Sequence, residues 1–444
     1  MAIDDSTRVT GVERQFPRLA LTILLLLAGI IFVCGGPVRI FWGTHQQNPS
    51  HLKNPIDLQT LFSSTKAWLQ GSDPYDSRNL RSVLIASGCT GKTCPVSVSP
   101  PVLFPVLSPL GLLDWPHARV VWTCLQLVLM VAMLLILVMG LAGWSPADRA
   151  SMGYAAVALV MWPTYTGVLF GQTAILAAFL IVLGIFFEIR HGDWQAGISF
   201  TLATAIKPQM ALFFLLVALC RLRWRTWLAA TVLGMLLLVV SLSQLYVHHI
   251  EWMSSMAESN WVVSRPGGIN DPSTLNSENF AILSLTLPLR LLIADNTAVN
   301  CLAFLLSAVT GGVAFWLLRK SRDRRSELLR YSIIAVLSLL GVYNRCYDAT
   351  LLLLPLLWAF MSWRTADRLW AIIAVILTLP FCFVWWMSVL VHMTRAGMIS
   401  QAAFDSWWWR TFVTPHHVYA LLLLAICLCC AAWQNRCPQC QPER

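Results

Sequence analysis

One aspartate in a long polar segment, Asp57, stands where a carboxylate could act as a general base. It comes shortly after an apolar stretch at 19–41 and precedes an amphipathic stretch that runs to Trp68. A carboxylate held at the edge of an apolar layer can remove the proton of an attacking hydroxyl. Two other interpretations stay open for Asp57. It could be a solvated surface acid, or a helix N-cap that stabilises the helix from Leu58 onward by about 1 kcal/mol.

Lys207 is a second candidate, because it lies between two short apolar segments, 195–206 and 209–220, and is followed by Pro208. An ammonium group in apolar surroundings is costly unless it pairs with or binds an anion. A helix that starts at Pro208 would also direct its positive end toward this point. The two features predict an anion site that suits a lipid phosphate. The alternative is a lysine whose stem follows the apolar surface and whose ammonium reaches water.

Arg345 and Asp348 form a third candidate. They flank Tyr347 at the start of a strongly apolar run, residues 351–357. Charges placed there could bind a substrate, and they could equally form a structural ion pair with each other.

Several familiar chemistries are not indicated. The sequence contains no Gly-rich phosphate loop, Walker motif, GxSxG elbow or HExxH pattern, so any activated donor should be something other than cytosolic ATP. Cys437 and Cys440 have no second pair of ligands nearby, and no metal or other cofactor is predicted. Cys89 and Cys94 bracket a polar turn, and a local disulfide is predicted if that segment faces an oxidising compartment.

The composition is that of a polytopic membrane protein. Of the 444 residues, 57% are hydrophobic and 12% are charged, against about 25% charged in a typical globular protein. The net charge of +10 does not indicate a nucleic-acid partner, because the basic residues are scattered through the short gaps between apolar runs. Basic residues in such gaps set membrane topology.

About 20 helical residues cross the hydrocarbon core of a bilayer. The two apolar pairs broken at Lys207-Pro208 and at Asn344-Arg345 predict half-length helices, which are tolerated only around an internal site. Counting them separately gives an all-α protein with about twelve membrane helices. Full spans are predicted at 19–41, 119–142, 150–168, 171–189, 227–247, 298–318, 368–391 and 416–433, and half-length helices at 195–206, 209–220, 331–344 and 346–361.

Basic residues are denser on one side of these spans, with the strongest cluster at 319–325. The positive-inside rule then places both termini in the cytoplasm and the long segment 42–118 outside. We therefore expect a multi-pass protein of the cytoplasmic membrane. Its predicted parts are a cytoplasmic tail at 1–17, one integral-membrane domain at 18–433 and a second cytoplasmic tail at 434–444.

Five groups of short motifs stand out in order along the chain. They are Asp57 with Gly71-Ser-Asp73-Pro74-Tyr75 and Ser99-Pro100-Pro101; Gly171-Gln172-Thr-Ala-Ile-Leu176; Ala205-Ile-Lys207-Pro208; Ser277-Glu278-Asn279-Phe280; and Tyr347-Asp348. In this order they resemble the motifs of the membrane glycosyltransferases of family 87, and the resemblance extends over residues 18–391. A Tyr often found in that family before the paired prolines is Val98-Ser99 here, and the histidines common near Tyr347 are absent.

The resemblance implies an all-helical membrane fold of the GT-C type and a polyprenyl-phosphate sugar donor. The family includes actinobacterial enzymes that mannosylate phosphatidylinositol mannosides. By the same resemblance, Asp57 is expected to be the catalytic base. The residues expected to bind substrate are Tyr75, Gln172, Lys207, Asn279, Arg345 and Asp348.

The predicted activity is transfer of a hexose, mannose by resemblance, from a polyprenyl-phosphate donor to a lipid or glycan acceptor on the outer face, by a single inverting displacement. The main alternative is a transporter or flippase of lipid-linked sugars. Transporters commonly have two related halves, and the second half of this sequence repeats neither the Asp57 segment nor the Lys207-Pro208 break. A non-catalytic scaffold fits the internal charges poorly.

Overall fold

The computed structural model describes residues 55–436, apart from 90–94, 147, 222, 274, 277, 294, 319–322, 383–388, 391–392 and 395. The predicted first span at 19–41, the N-terminal tail, Cys94 and the Cys437/Cys440 pair lie outside the described residues.

The described part is helical throughout. It contains no strand, and its one isolated β-bridge joins Ile282 to Arg345. The first ten α-helices are α1 Ile56–Leu69, α2 Ser77–Ala86, α3 Leu103–Gly111, α4 Trp115–Leu135, α5 Arg149–Val160, α6 Trp162–Phe170, α7 Ala174–Ile189, α8 Asp193–Ile206, α9 Pro208–Cys220 and α10 Trp224–Val247. They are followed by α11 Trp252–Ser264, α12 Thr286–Leu289, α13 Asn296–Leu318, α14 Arg324–Gly341, α15 Leu353–Ser362, α16 Arg368–Thr378, α17 Gln401–Phe404 and α18 His416–Arg436.

Four helices in the described part are long and apolar enough to cross a membrane, and the pair α5 and α6, bent by 51°, raises the number to five. The predicted spans at 171–189 and 368–391 correspond to shorter apolar helices. At 1.5 Å per residue, the 16 residues of α7 reach about 24 Å, less than the ~30 Å hydrocarbon core. The predicted total of twelve membrane helices stays a prediction. The four long helices are Trp115–Ala142, Trp224–Val247, Thr297–Leu318 and His416–Asn435.

Both predicted breaks are present. Helix α8 ends at Ile206 and α9 begins at Pro208, with Lys207 between them. The second prediction, a half-length helix at 331–344, was wrong in its bounds. Helix α14 starts earlier, at Arg324, because the Asp323 side chain accepts a hydrogen bond from the Ser326 backbone N–H and caps the helix. It ends at Gly341, and a 3₁₀ helix begins at Cys346.

Helix α14 is the centre of the packing. Every residue from Ser326 to Gly341 is buried, and α14 contacts α9, α13, α15 and α18. A helix buried on all sides must be apolar or must pair its charges. At the start of α14, Glu327 and Arg330 pair with each other at 2.7 Å, and Arg221 pairs with Glu327 and with Glu188.

This charge network lies at the opposite end of α14 from Arg345. The 18 residues of α14 rise about 27 Å, which is close to the hydrocarbon thickness of a bilayer. One buried helix therefore separates the charged network from the break that contains Arg345.

Candidate active site

Asp57 lies in the first turn of α1. The residue at the N-cap position is Pro55, whose backbone is extended, so Asp57 does not cap the helix. The Asp57 side chain is partly exposed, whereas its neighbours Pro55 and Leu58 are buried. A carboxylate in the first turn also interacts favourably with the positive end of the helix. The start of α1 therefore holds one accessible carboxylate against a packed surface.

That packed surface is the turn between α6 and α7. Gly171 ends α6 in the left-handed conformation, with φ of 69°. A side chain at this position would have its Cβ 2.6 Å from the Leu58 Cβ, so only glycine lets the two segments approach. The carbonyl of Gly171 accepts a hydrogen bond from the Trp122 indole at 2.9 Å. The next residue, Gln172, lies beside the Asp57 carboxylate and acts on it as a side-chain hydrogen-bond donor.

The two helix breaks meet beside this pair. The Lys207 ammonium donates a hydrogen bond to Asp348 Oδ1 and forms an ion pair with it. The same ammonium lies over the Tyr347 ring, 4.6 Å from its centroid. Lys207 and Asp348 are both buried. Lys207 is therefore not an exposed lysine that reaches water, because its charge is matched inside the protein.

The Arg345 side chain does not form an ion pair with Asp348, which was one of the two possibilities left open by the sequence. The backbone N–H of Arg345 donates to Asp348 Oδ2 at 3.0 Å, while its guanidinium forms an ion pair with Glu278 Oε2 at 3.2 Å. Glu278 is 61% exposed in its side chain, so water competes for this pair and its net contribution is small. Compared with Lys207, Arg345 therefore has the weaker ion pair.

Asp57 is affected by all of these groups. The partial burial of the Asp57 carboxyl raises its pKa above the ordinary value, and this effect outweighs the hydrogen bond from Gln172 and the positive charges of Arg345 and Lys207, which lower that pKa. The negative charge of Asp348 raises it further. A carboxylate with a raised pKa is a stronger base, which is the property required to accept a proton from a hydroxyl near neutral pH.

Two tyrosines, Tyr343 and Tyr347, border the same space. The Tyr343 hydroxyl is buried and has no hydrogen-bond partner in the described part of the chain. The charged groups of Arg345, Asp348 and Asp57 lie close enough to act on this hydroxyl electrostatically. An orphan hydroxyl among charged groups is available to a polar ligand. The resemblance had singled out Tyr347 with Asp348, whereas nothing in the sequence distinguished Tyr343 from a core aromatic residue.

Across the described ranges, no group of three or more His, Cys, Asp or Glu side chains is arranged to hold a metal ion. Near Asp57, each of the two cations is paired with a carboxylate: Lys207 with Asp348, and Arg345 with Glu278.

The model of glycosyltransferase family 87 matches residues 98–342, which is more than half of the chain. The chain belongs to glycosyltransferase family 87. The matched region contains Gln172, Lys207 and Asn279, while Asp57 precedes it and Arg345 follows it.

A curated relative of this family 87 chain is the polyprenol-phosphate-mannose-dependent alpha-(1-2)-phosphatidylinositol mannoside mannosyltransferase of Mycobacterium tuberculosis (strain ATCC 25618 / H37Rv). The two sequences are 29% identical over 183 residues, which cover 38% of this chain and 41% of the relative. The chain thus matches about two fifths of the relative's length. No solved structure matches.

Tyr75, one of the residues predicted to bind substrate, lies in a different cluster from Asp57. Its ring packs against Phe104 and Trp252, and its hydroxyl donates to the Ser99 carbonyl at 2.7 Å. Its cluster also contains Trp68, eleven residues after Asp57 on α1, or about 16 Å along the helix. Tyr75 therefore joins parts of the segment 42–118 to Trp252, and the structure does not bring it to the Asp57 carboxylate.

Asn279 is also outside the immediate group. Its side-chain amide donates to the Ser273 carbonyl at 3.1 Å, and it borders a separate cavity. Its neighbour Glu278 reaches the site instead, through Arg345. Of the residues predicted from the sequence, the structure brings together Asp57, Gln172, Lys207, Arg345 and Asp348. Glu278 was present in the matched motif but was not selected.

Proposed function

We propose that this protein is a membrane glycosyltransferase that moves a hexose, mannose in the first instance, from a polyprenyl-phosphate donor to an acceptor hydroxyl on the outer face of the cytoplasmic membrane. The observation that carries the proposal is the group formed by Asp57, Gln172 and Arg345. It combines a partly exposed carboxylate of raised pKa with a nearby guanidinium whose ion-pair partner is exposed. Family membership and the donor in the relative's name support the same reaction class.

The proposed reaction is a single displacement. The acceptor hydroxyl oxygen forms a bond to the anomeric carbon of the sugar while its proton passes to the Asp57 carboxylate. The bond between the anomeric carbon and the phosphate oxygen breaks, and that electron pair leaves with the polyprenyl phosphate. Attack and departure occur on opposite faces of the sugar, so the anomeric configuration inverts.

Arg345 is the proposed partner of the donor phosphate. A guanidinium binds phosphate through paired N–H donors, and the exposed Glu278 can be displaced by a ligand at little cost. Stabilising the charge that develops on the leaving phosphate is a large contribution to catalysis in such reactions.

Lys207 has a supporting part in this proposal. Because its ammonium is paired with Asp348, it holds Asp348 in the position where that carboxylate accepts the Arg345 backbone N–H. Lys207 therefore orients the Arg345 segment and adds positive charge near Asp57. Gln172 has a similar supporting part, because its side chain orients the Asp57 carboxylate.

The direct test is transfer by the purified protein in proteoliposomes. Polyprenyl-phosphate mannose, polyprenyl-phosphate glucose and a nucleotide-linked mannose are supplied in parallel, with membrane lipids of the source cells as acceptors. We expect transfer from a polyprenyl-phosphate sugar alone, with inversion at the anomeric carbon and loss of transfer in Asp57→Asn. Use of the nucleotide sugar, or retention of configuration, would contradict the proposal.

A further inference from the structure

Two buried hydrogen-bond donors in the proposed active site have no acceptor within the protein. They are the hydroxyl of Tyr343 and the Nε–H of Arg345, and neither has a hydrogen-bond partner in the described part of the chain. A buried donor without an acceptor is costly, and native structures contain few such groups. Two of them on residues only two positions apart indicate a place for an acceptor atom that the chain itself does not supply.

The backbone turns Tyr343 and Arg345 to the same side. The chain is extended at Val342, with φ of −136° and ψ of 171°, and at Arg345, with φ of −118° and ψ of 166°. Side chains alternate along an extended segment, so residues two positions apart share a face. Asn344 faces the opposite way and is completely buried. The side chains of Tyr343 and Arg345 are also close enough to act on each other electrostatically.

Asn344 holds this segment in place. Its side-chain amide donates to the carbonyl of Ser338, in the last turn of α14, at 2.8 Å. Its own backbone carbonyl accepts the N–H of Leu283 at 2.8 Å, and the isolated bridge joins Arg345 to Ile282 next to it. The segment is therefore fixed from two sides. Donors that are fixed before the reaction stabilise a developing charge without having to reorganise.

The charge of the proposed donor changes when it reacts. A sugar joined to a polyprenyl phosphate is a phosphodiester with one negative charge, whereas the released phosphate is a monoester that carries up to about two. Arg345 offers one positive charge, because its partner Glu278 is exposed. Lys207 is already neutralised by Asp348. The guanidinium therefore matches the single charge of the donor, and the charge that develops during the reaction requires a further hydrogen-bond donor.

The Tyr343 hydroxyl has the properties of that further donor. The neighbouring Tyr347 is placed differently, because the Lys207 ammonium lies over its ring. A hydroxyl forms a stronger hydrogen bond with an oxygen that carries more negative charge. An interaction that strengthens between the bound substrate and the transition state raises kcat more than it tightens the binding of the substrate.

We propose that the Tyr343 hydroxyl donates a hydrogen bond to the phosphate of the leaving polyprenyl phosphate, beside Arg345, and so acts on kcat more than on donor binding. This inference rests on the proposed function and adds a catalytic residue to it. The bond between the anomeric carbon and the phosphate oxygen breaks, and its electron pair stays on that oxygen. Tyr343 keeps its proton throughout, and the proton of the acceptor passes to Asp57.

The test is the kinetics of Tyr343→Phe, which removes only the hydroxyl. With polyprenyl-phosphate mannose as donor, kcat should fall about ten- to a hundred-fold, the usual effect of losing one hydrogen bond to a charged group. The KM for the donor should change much less. The inhibition constant of the product, polyprenyl phosphate, should rise with the fall in kcat, because the product carries the full charge. An unchanged kcat, or a rise in donor KM alone, would overturn the proposal.

The stability of the ligand-free protein separates this role from a structural one. Tyr343→Phe removes a buried hydroxyl that has no partner, so the variant should unfold at a temperature no lower than the wild type. The matched control is Tyr154→Phe, because the buried Tyr154 hydroxyl donates to the Leu353 carbonyl at 2.9 Å. This control should unfold at a lower temperature and keep the wild-type kcat and product inhibition. If Tyr343→Phe instead lost stability together with activity, its role would be structural and the proposal would fail.

A binding measurement keeps this inference distinct from the proposed function. Thermal stabilisation by a polyprenyl monophosphate, compared with the uncharged polyprenol of the same length, requires no transfer. We expect the monophosphate to stabilise the wild type and Tyr154→Phe more than the polyprenol does, and this difference to shrink in Tyr343→Phe. If the wild type transfers no sugar yet shows this pattern, the proposed function fails and the phosphate contact stands. Equal stabilisation of the wild type and Tyr343→Phe by the monophosphate overturns the contact.

Discussion

Lys207 and Asp348 are joined by an ion pair although 141 residues separate them in the chain. Each lies at the point where an apolar helix is interrupted. Each interruption leaves unpaired backbone groups and a charge that lipid could not solvate. The ion pair between Lys207 and Asp348 lets each charge neutralise the other inside the protein. The pair also fixes the position of Arg345, because Asp348 accepts the Arg345 backbone N–H.

Replacing one member of this pair should destabilise the protein. Lys207→Met leaves the buried Asp348 carboxylate without its counter-charge, and removing one partner of a buried pair typically costs about 3–5 kcal/mol. The double variant Lys207→Met, Asp348→Leu should recover much of that loss. Thermal unfolding in detergent measures both. A single variant as stable as the wild type would show that the pair contributes nothing, and Lys207 would then be free to bind the donor directly.

Asp57→Asn should nearly abolish sugar transfer. An amide cannot accept the acceptor proton, and general-base catalysis typically contributes about 10²–10⁴-fold. The controls are Asp73→Asn and Asp76→Asn. Those carboxylates accept backbone N–H hydrogen bonds from Tyr75 and Arg78, a role that Asn can also fill, so most activity should remain. If Asp57→Asn keeps more than about a tenth of the wild-type rate, a loss smaller than usual for a base, then Asp57 is not the base.

The pH dependence of kcat/KM should reflect the raised pKa of Asp57. The base is active only when ionised, so kcat/KM should fall as the pH drops through that pKa, at a higher pH than the ordinary value of about 3.9 would give. The hydrogen bond from Gln172 lowers the pKa. Gln172→Leu should therefore move the acid limb to still higher pH. An acid limb that moves to lower pH in this variant would contradict the assignment.

The raised pKa of Asp57 also predicts that the ionised carboxylate lowers the stability of the folded protein. Because the folded state raises the pKa of Asp57, it binds a proton more tightly than the unfolded chain does. The free energy of unfolding therefore falls as the pH rises from the ordinary to the raised pKa. At pH 7 the ionised carboxylate is a destabilising group that Asn lacks. We expect Asp57→Asn to unfold at a temperature no lower than the wild type at pH 7, and a clear decrease would contradict this.

Gly171→Ala should reduce transfer by displacing the start of α1. The new Cβ would lie 2.6 Å from the Leu58 Cβ, at a residue whose φ is positive, so the Asp57–Gln172 contact must open. The matched control is Gly312→Ala in α13, where a Cβ meets nothing within 4 Å and alanine favours the helix. We expect a loss of activity in the first variant alone. Equal activity in the two variants would show that the Asp57 segment tolerates movement.

The predicted orientation can be tested by cysteine labelling in intact cells. Ser82→Cys introduces a thiol on the exposed face of α2, and Arg324→Cys introduces one at the exposed start of α14. A membrane-impermeant thiol reagent should label the first without permeabilisation and the second only after it, each compared with the parent protein. The reverse pattern would place the Asp57 segment in the cytoplasm.

Part of this protein was predictable because it depends on composition and local sequence. The excess of apolar over charged residues indicates a membrane protein, and proline after a lysine predicts the break between α8 and α9. Asp57 was identified because a polar segment follows an apolar stretch. These properties depend on neighbouring residues, so their physical causes are visible in a short window of sequence.

Only the tertiary structure decided which charges pair. From the sequence, Arg345 and Asp348 could bind a substrate or pair with each other, yet Arg345 pairs with Glu278 and Asp348 with Lys207. Likewise, Gln172 reaches Asp57 while Tyr75, much nearer in sequence, packs elsewhere. The reason is that the energy of a buried charge depends on which groups surround it in space. Those groups are brought together by helix packing across more than a hundred residues, which no local pattern records.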